Sequence, residues 1–315
     1  MTNTRADADA IKHADAESYD ALTDPYDRFV GRYSGRYVER IAYLAEFGPG
    51  DRVLDVGTGT GIVALHAAHW VGESGRVTGI DLSEGMLAHA RAKADRAKLS
   101  GRVEFRRMDA EHLEVGDATF DTAVSLFALR HFPDPDAALA QMYRVLRPGG
   151  RLVVAVGGGA PLLSLAGVAS GLRRIFDDLL ILRGKQLRAC EFLDSLVRAS
   201  LPESSLEGPA GSEHHGLGPQ ELPGRVRRAG FRVDHVGWLG NRAVLETAEE
   251  FWDLQATFST MARSRLRFAN PQTVTELKNR FMQTCCQVQA RGGSLVYPTG
   301  TLFVAGQRPA LSSGA

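Results

Sequence analysis

The chain is poor in cysteine and has no excess of either charge. Its three cysteines, Cys190, Cys285 and Cys286, are too few and too badly spaced for a disulfide framework or a zinc site. We therefore expect a reducing, cytoplasmic location and no bound metal. Lys plus Arg and Asp plus Glu both number 37. This balance argues against a nucleic-acid partner, which usually requires a basic surface.

Long apolar runs are also missing. No stretch approaches the ~18 apolar residues of a membrane span, and the polar residues 1–18 do not fit a signal peptide. The length of 315 residues exceeds the ~250 residues at which a single core usually stops growing. We therefore expect one core with appended elements.

Glycine, in contrast, is concentrated at one informative place, residues 53–61, which read VLDVGTGTG. A short apolar run there ends in an acid, breaks into three alternating glycines and leads into an apolar-periodic segment, 62–70. This pattern predicts a buried strand, a tight turn and a helix N-terminus, the layout of a nucleotide-cofactor site. Gly57, Gly59 and Gly61 let the backbone approach a ligand closely and adopt dihedrals that a Cβ disfavours.

The spacing of these glycines narrows the choice of cofactor. The third glycine comes one residue too early for the dinucleotide fingerprint, and no Gly-Lys-Ser/Thr follows, which excludes a P-loop. Asp55 at the strand end would repel a pyrophosphate, but it suits a ligand that carries an ammonium group and a sulfonium. The alternative is a tight strand-to-helix turn without a ligand.

Residues 53–61 resemble motif I of the class I S-adenosylmethionine (SAM)-dependent methyltransferases. Four further segments match that family in order, as strands two to five, over 77–81, 103–110, 120–125 and 147–154. The resemblance implies SAM as cofactor and S-adenosylhomocysteine (SAH) as its product. It also implies that Asp81 accepts the ribose hydroxyls, and that Asp109 and Met108 hold the adenine. The predicted cofactor-binding residues are Tyr26, Asp55, Gly57, Thr58, Gly59, Gly61, Asp81, Leu82, Met86, Met108, Asp109, Ala110 and Phe127.

A narrower likeness is carried by residues 127–132, which read FALRHF. This segment resembles the Phe-Gly-Leu-Arg-Asn of the ubiquinone/menaquinone biosynthesis C-methyltransferases, with Ala128 in place of Gly and His131 in place of Asn. In that family the matching arginine lies next to the substrate, which implies such a place for Arg130. Residues 26–34 likewise resemble the cap segment of many small-molecule methyltransferases. The two departures leave the acceptor open.

The pattern along the chain predicts an α/β fold: a Rossmann-like, seven-stranded, doubly wound sheet with an N-terminal helical cap and two helical insertions forming a lid. Residues 1–15 are expected to be disordered and 16–47 to form two short helices. Packing or a dimer contact is the alternative role for the insertions, so a homodimer stays open. The predicted units are a cap (1–48), a SAM-binding core (49–157), a helical insertion (158–218), a continuation of the core (219–240), a second helical insertion (241–298) and a last core strand with tail (299–315).

Four side chains are candidates for catalysis: His131, Arg130, His214 and His215. His131 is the first candidate for a general base, because it follows the fourth strand at the cofactor edge. The other two histidines lie in a loop that could close over the site. A packed or solvated side chain is the alternative for each histidine, and a salt bridge to Asp134 or Asp136 is the alternative for Arg130.

The function that these residues predict is methyl transfer from SAM to the carbon or oxygen of a small, largely apolar or aromatic metabolite, in secondary-metabolite or quinone-like biosynthesis. The candidate contacts to this acceptor are Tyr19, Phe29, Phe132 and Trp252. The main alternative is an enzyme that keeps the SAM or SAH site but catalyses cyclisation or another rearrangement. A non-enzymatic module and a nucleic-acid methyltransferase are further alternatives. The second of these is disfavoured because no Asn-Pro-Pro-Tyr/Phe follows the fourth strand.

Overall fold

A computed structural model describes residues 3–20, 22–160, 165–202 and 217–310 of the chain. One sheet with helices packed on both faces organises these residues. Its strands are β1 (Arg52–Val56), β2 (Arg76–Asp81), β3 (Val103–Arg107), β4 (Phe120–Leu126), β5 (Leu146–Gly157), β6 (Gln186–Arg188), β7 (Arg232–Leu245) and β8 (Ser294–Gln307).

The helices fall into a cap, the crossovers of the sheet and two insertions. The cap helices are α1 (Asn3–Asp20), α2 (Thr23–Tyr33) and α3 (Gly35–Ala45). The crossover helices are α4 (Ile62–Trp70), α5 (Glu84–Arg96), α6 (Pro135–Val145) and α9 (Leu222–Arg228), with a short 3-10 helix at Ala128–His131. The insertion helices are α7 (Leu165–Leu182), α8 (Glu191–Ser200), α10 (Ala248–Phe258), α11 (Thr260–Phe268) and α12 (Pro271–Ala290).

The strand order is β3-β2-β1-β4-β5-β8-β6, with β7 also paired to β8. Strands β1 to β5 are parallel, whereas β8 runs antiparallel to β5 and to β7. The chain steps outward from β1 to β3 and then returns to the other side of β1 with β4. In open α/β sheets this switch point opens a ligand crevice at the carboxyl ends of the strands. The predicted Rossmann-like sheet is confirmed.

The strands bury side chains on both faces, as parallel strands between two helical layers do. In β1, Val53 packs into the core under α3 and α4, whereas Leu54 and Val56 pack into the core under α6 and α9. All three are fully buried. Burying such a side chain contributes about 1.5–3 kcal/mol to folding, so the two cores hold the strand ends, and the residues that follow them, in place.

The sheet has one strand more than the seven predicted. The additional strand, β6, lies in a segment predicted to be mostly helical. It has three residues and pairs in parallel with residues 294–296 of β8. β7 and β8 pair as an antiparallel hairpin that extends beyond the sheet core. The extended part runs to the last residue of β7, Leu245, and from the first residue of β8, Ser294. Helices α10 to α12 are carried on this hairpin and share a third core with α8. No helix in the described ranges is long and apolar enough to cross a membrane.

The expected disorder at residues 1–15 is wrong from residue 3 onward, because α1 begins at Asn3. The two short helices expected over 16–47 correspond to α2 and α3, and α1 adds a third helix before them. Ion pairs to distant parts of the chain hold α1 against the sheet: Lys12 contacts Asp109 and Glu111, and Asp15 contacts Arg263. A polar helix of this kind has no apolar periodicity to reveal it, since its anchors are charges paired across the fold.

Candidate cofactor site

A cleft of about 780 Å³, counting space open to solvent, lies at the carboxyl ends of β1, β2 and β4. The predicted site residues that line it are Tyr19, Tyr26, Gly57, Gly59, Asp81, Leu82, Met86, Met108, Asp109, Ala110, Phe127, His131 and Phe132. The structure therefore brings together residues from five separate segments of the chain.

The glycine turn forms the floor of the cleft. Gly57 and Gly59 have φ of +70° and +53°, in the left-handed region. A Cβ on Gly57 would lie 2.1 Å from the Cβ of Ala128, whereas a Cβ on Gly59 would lie 3.6 Å from the Tyr26 ring. The backbone at Gly57 is thus packed against the loop after β4, and any side chain there would clash with Ala128.

Asp55 holds this turn from below and does not line the cleft. Its Oδ2 accepts hydrogen bonds from the Thr58 hydroxyl (2.7 Å) and from the backbone N–H of Ala64 (3.0 Å). Burial raises the pKa of Asp55 to about 7, although these two hydrogen bonds act in the opposite direction. Asp55 and Thr58 were predicted to contact the cofactor directly. In the structure they bond to each other beneath the turn and line no part of the cleft, so their described role is to support the glycine turn. Gly61 is likewise outside the cleft and packs on Phe105.

Gly57→Ala and Gly59→Ala form a matched pair that tests the floor. Both variants bear the cost of about 1–2 kcal/mol for a Cβ in the left-handed region, but only Gly57→Ala adds the clash with Ala128. Compared with Gly59→Ala, we expect Gly57→Ala to be less stable by a further ~1–3 kcal/mol. It should also bind SAM far more weakly than Gly59→Ala does. Thermal unfolding and calorimetric titration of SAM measure both effects. Adding Ala128→Gly should restore much of the loss, and equal losses in the two single variants would contradict this packing.

Asp81, at the end of β2, presents its carboxylate to the cleft. Oδ2 accepts from the Gly59 N–H (2.8 Å) and Oδ1 from the Ser83 N–H (3.0 Å). Burial raises its pKa, and these backbone hydrogen bonds oppose the rise. Since each carboxylate oxygen can accept two hydrogen bonds, both retain capacity for ligand hydroxyls.

Lys12 of α1 reaches the predicted adenine end and was missed by the sequence reasoning. Its Nζ lies 2.7 Å from Asp109 Oδ2 and 3.2 Å from Glu111 Oε2. Burial opposes ionisation of Asp109, but the hydrogen bonds from Lys12 and from the Glu111 N–H, together with the charge of Lys12, outweigh it, so the pKa of Asp109 is lowered. The ligand atoms of Asp109, Glu111 and His112 lie within 4.8 Å of one another, a geometry open to a metal ion. The Lys12 ammonium already supplies a cation to the two carboxylates there.

His131 pairs with a second residue of α1. Its Nδ1 lies 3.0 Å from Asp15 Oδ2, and the other oxygen of Asp15 accepts from Arg263 of α11 at 2.9 Å. Burial alone would raise the pKa of Asp15, but the hydrogen bond to His131 and the charge of Arg263 lower it to about 2. The edge of Tyr19 faces His131 with ring centroids 5.9 Å apart. Asp15 thus remains a carboxylate that can orient the imidazole.

Arg130 does not line the cleft, in contrast to its predicted place beside a substrate. Its guanidinium donates to the carbonyl oxygen of Gly157 at 2.7 Å. The two carboxylates considered as its partners have other roles, because Asp136 pairs with Arg225 at 2.6 Å and Asp134 caps α6. The described contact of Arg130 therefore ties the loop after β4 to the end of β5.

The aromatic candidates for acceptor contact divide into two groups. Tyr19 and Phe132 line the cleft. Phe29 and Trp252 are buried in the core shared by α8, α10 and α12, so their predicted contact with an acceptor is corrected to core packing. Helical spacing of aromatics does not distinguish these two cases. His214 and His215 lie outside the described residues.

The raised pKa of Asp55 predicts a pH dependence of stability. In the unfolded chain this carboxyl loses its proton near its ordinary value of 3.8, whereas the folded protein keeps it to about pH 7. The folded state binds more protons in that window, so the contribution of Asp55 to the free energy of unfolding falls as pH rises through it. Asp55→Asn, which mimics the protonated carboxyl, should lack this fall. Urea unfolding midpoints of the wild type and of Asp55→Asn, each measured at pH 5 and pH 8, test this prediction. It would be contradicted if the difference in midpoint between the two proteins were the same at both pH values.

Comparison with known proteins shows what part of the chain is similar to. Residues 53–150, less than half of the chain, match the family described as Methyltransferase domain. The ubiquinone/menaquinone biosynthesis C-methyltransferase of Teredinibacter turnerae is 37% identical over 144 residues, which are 46% of this chain and 57% of that protein. This chain thus matches little more than half the length of that relative.

Two solved structures share the fold. The 4+2 cyclase SpnF has a TM-score of 0.57 at 21% identity, covering 95% of this chain and 97% of its own. The YcgJ protein of Bacillus subtilis has a TM-score of 0.52 at 19% identity, covering 87% and 98%. At these identities the likeness shows the arrangement of the sheet and helices and does not distinguish methyl transfer from cyclisation.

Proposed function

Because residues 53–150 form a methyltransferase domain of the class I, SAM-dependent type, we propose that this chain transfers the SAM methyl group to a small aromatic acceptor that carries a hydroxyl group. The observation that carries the proposal is that one cleft joins the glycine turn, Asp81 and Asp109 to His131. The first three are placed to hold the cofactor, and His131 is placed to receive a proton from the acceptor.

The lining of the cleft supports SAM as its ligand. At Gly57 the absence of a side chain lets the glycine turn and Ala128 close the cleft floor together. Asp81 offers carboxylate oxygens to the ribose hydroxyls, and Met108 and Asp109 lie where the adenine would be held. SAM, when bound, supplies a methyl group on a sulfonium that leaves readily. The rings of Tyr26 and Phe127 face the same cleft and can stabilise a neighbouring positive charge by about 0.5–2 kcal/mol.

His131 provides the proton acceptor. With Nδ1 held by Asp15 at 3.0 Å, the ring is fixed in the tautomer whose Nε2 carries the free lone pair. This nitrogen takes the proton of the acceptor hydroxyl, and Asp15 stabilises the imidazolium that forms. The resulting phenolate is a better nucleophile at oxygen and at its ring carbons, so the same pair serves O-methylation, and also C-methylation once the methylated ring carbon releases its proton to water and the ring oxygen takes back the proton held by His131. The protein otherwise orients the acceptor and excludes water.

The name of one relative supports a narrower class of acceptor. The Teredinibacter relative is named for C-methylation in ubiquinone and menaquinone biosynthesis, and this supports a quinol-like ring here. Cytoplasmic location, a homodimer, the absence of a nucleic-acid partner and the division into cap, core and insertions stay predictions.

Native mass spectrometry of the purified chain, followed by an acceptor screen, tests the proposal. We expect co-purified or added SAM or SAH to remain bound, and a phenol or quinol in the screen to gain one CH2. A product of unchanged mass would favour the alternative reaction, a SAM- or SAH-assisted rearrangement. A chain that retains neither SAM nor SAH would contradict the proposed function altogether.

A further inference from the structure

Helix α7, in the first insertion, has one apolar face that the described part of the chain leaves uncovered. The helix packs against β6, the edge strand of the sheet. Six large apolar side chains on it are between 48% and 84% exposed, and together they are here called the α7 stripe: Val168, Leu172, Ile175, Phe176, Leu179 and Leu182. A contiguous exposed apolar patch of this kind typically marks an interaction site.

The opposite face of α7 attaches the helix to its own chain. Asp177 is 4% exposed, and its carboxylate lies 3.5 Å from the guanidinium of Arg242 in β7. Asp177 is two residues from both Ile175 and Leu179, which is about 200° around a helix. The α7 stripe therefore points away from the sheet, and its exposure follows from the way in which the helix is attached.

The spacing within the α7 stripe is that of a coiled-coil seam. Its members other than Phe176 follow one another at intervals of four, three, four and three residues. This strict alternation keeps a narrow line of apolar side chains directed at one neighbouring helix. A helix that packs on a sheet or a globular core usually presents a broader apolar face. The pattern thus indicates a single helix as the occupant of the stripe.

The undescribed parts of this chain do not contain such a helix in their sequence. The longest of them, 203–216, reads ESSLEGPAGSEHHG and has one large apolar residue, Leu206. The others have five residues or fewer. None of these segments could provide apolar side chains for two turns of a paired helix, so the occupant comes from another molecule.

A second copy of α7 matches the stripe. From Val168 to Leu179 the intervals are four, three and four, and they read the same in both directions. In an antiparallel pair, Leu172 would therefore meet Ile175 of the second copy, and Val168 would meet Leu179 of the second copy. The exposed parts of the stripe amount to on the order of 500 Å² in each copy. Two copies together reach the ~1,000 Å² that a specific interface requires.

The charges of α7 favour a protein partner over a lipid surface. The charged residues of the helix are Arg173, Arg174, Asp177 and Asp178, which balance. Both arginines also pair within the chain, Arg173 with Asp177 and Arg174 with Glu191, each at 3.8 Å. Helices that bind membrane surfaces are typically rich in Lys and Arg on their polar face, and α7 has no such excess.

We propose that α7 pairs antiparallel with α7 of a second copy of this chain, and that the two copies form a two-fold symmetric homodimer through this short coiled coil. The proposal goes beyond the proposed function and does not depend on it. Three strand spacings, about 14 Å, separate β6 from β4, the nearest strand of the cofactor cleft. The paired helices therefore lie away from the residues assigned to SAM.

Light-scattering mass measurement of the full chain at tens of micromolar tests the dimer. Leu172→Glu and its matched control Phe268→Glu each replace an apolar side chain, 66% and 64% exposed, with a carboxylate, so neither change affects the buried core. We expect the wild type and Phe268→Glu to have twice the 34.1 kDa of one chain, and Leu172→Glu to have the mass of one. A monomeric wild type, or a Leu172→Glu variant that is still a dimer, would overturn the proposal.

Cysteine substitutions test the direction of the paired helices, in a Cys286→Ser background that removes the exposed native thiol. Val168→Cys and Leu179→Cys should form a disulfide-linked dimer when mixed, and neither should do so alone. The reason is that identical positions lie about 16 Å apart along an antiparallel pair. Cross-linking of each variant with itself would indicate parallel helices and contradict the proposal. Binding of the wild type, but not of Leu172→Glu, to phosphatidylglycerol vesicles without a dimer in solution would assign the stripe to lipid instead.

Discussion

Replacing His131 with glutamine is expected to lower the rate of methyl transfer by about 10²- to 10⁴-fold, the usual contribution of a positioned general base. Glutamine keeps polarity and approximate size but cannot take up the proton. SAM affinity should stay nearly the same, because the cofactor contacts are assigned to other residues of the cleft. Turnover of the acceptor found in the screen measures the effect.

Asp15 provides an independent readout of the same pair. Asp15→Ala removes the partner of Nδ1, so the neutral imidazole of His131 should shift toward the tautomer with the proton on Nε2. Imidazole ¹⁵N shifts, assigned by loss of the His131 signal in His131→Gln, report the tautomer without any acceptor. Asp15→Asn can still accept from Nδ1 and should keep the wild-type tautomer while losing the charge. An unchanged tautomer in Asp15→Ala, or full activity of His131→Gln, would show that the pair is structural.

Replacing Asp81 with alanine is expected to weaken SAM and SAH binding by about 5- to 150-fold, which corresponds to about 1–3 kcal/mol for lost charge-assisted hydrogen bonds. Part of the loss comes from the ribose contacts and part from the turn, since Asp81 also accepts the Gly59 N–H at 2.8 Å. Asp81→Asn separates the two, because the amide oxygen can still hold one backbone N–H. Calorimetric titration of SAH measures the affinities.

The control for this experiment is Asp117→Ala, which removes a carboxylate that is 74% exposed and paired with Arg144 on the surface. Its cofactor affinity should equal that of the wild type. If Asp81→Ala also binds SAH like the wild type, the assignment of the ribose end to the carboxyl end of β2 is wrong. If it unfolds, Asp81→Asn carries the test.

The central strands could be predicted because burial on both faces leaves a continuous apolar signature. The run 152–156 is fully buried, and any other conformation would leave its side chains exposed. β6 could not be predicted in this way, since Gln186–Arg188 is short and polar and is a strand only because the hairpin passes beside it. Local pattern thus identified the elements that bury their own apolar residues and missed those that depend on a distant partner.

The residues of the candidate site likewise fall into those that a local motif predicts and those that depend on distant contacts. The glycine turn, Asp81 and Asp109 follow strand ends, so a local motif predicts that they meet at one edge of the sheet. Asp15 and Arg263 are 248 residues apart in the chain, and no local pattern relates them.

The position of α1 has a consequence for the timing of the reaction. Besides the contacts of Lys12 and Asp15, Asp20 near its end accepts from the Ser83 hydroxyl (2.5 Å) and the Gly85 N–H (3.0 Å), so the helix is fastened at three points along one wall of the cleft. If these contacts must open to admit a nucleoside, they must open again to release it. We therefore expect an ordered kinetic scheme in which cofactor precedes acceptor and departure of SAH sets the pace of turnover. Opening of the N-terminal helix would then be the rate-limiting step of the catalytic cycle.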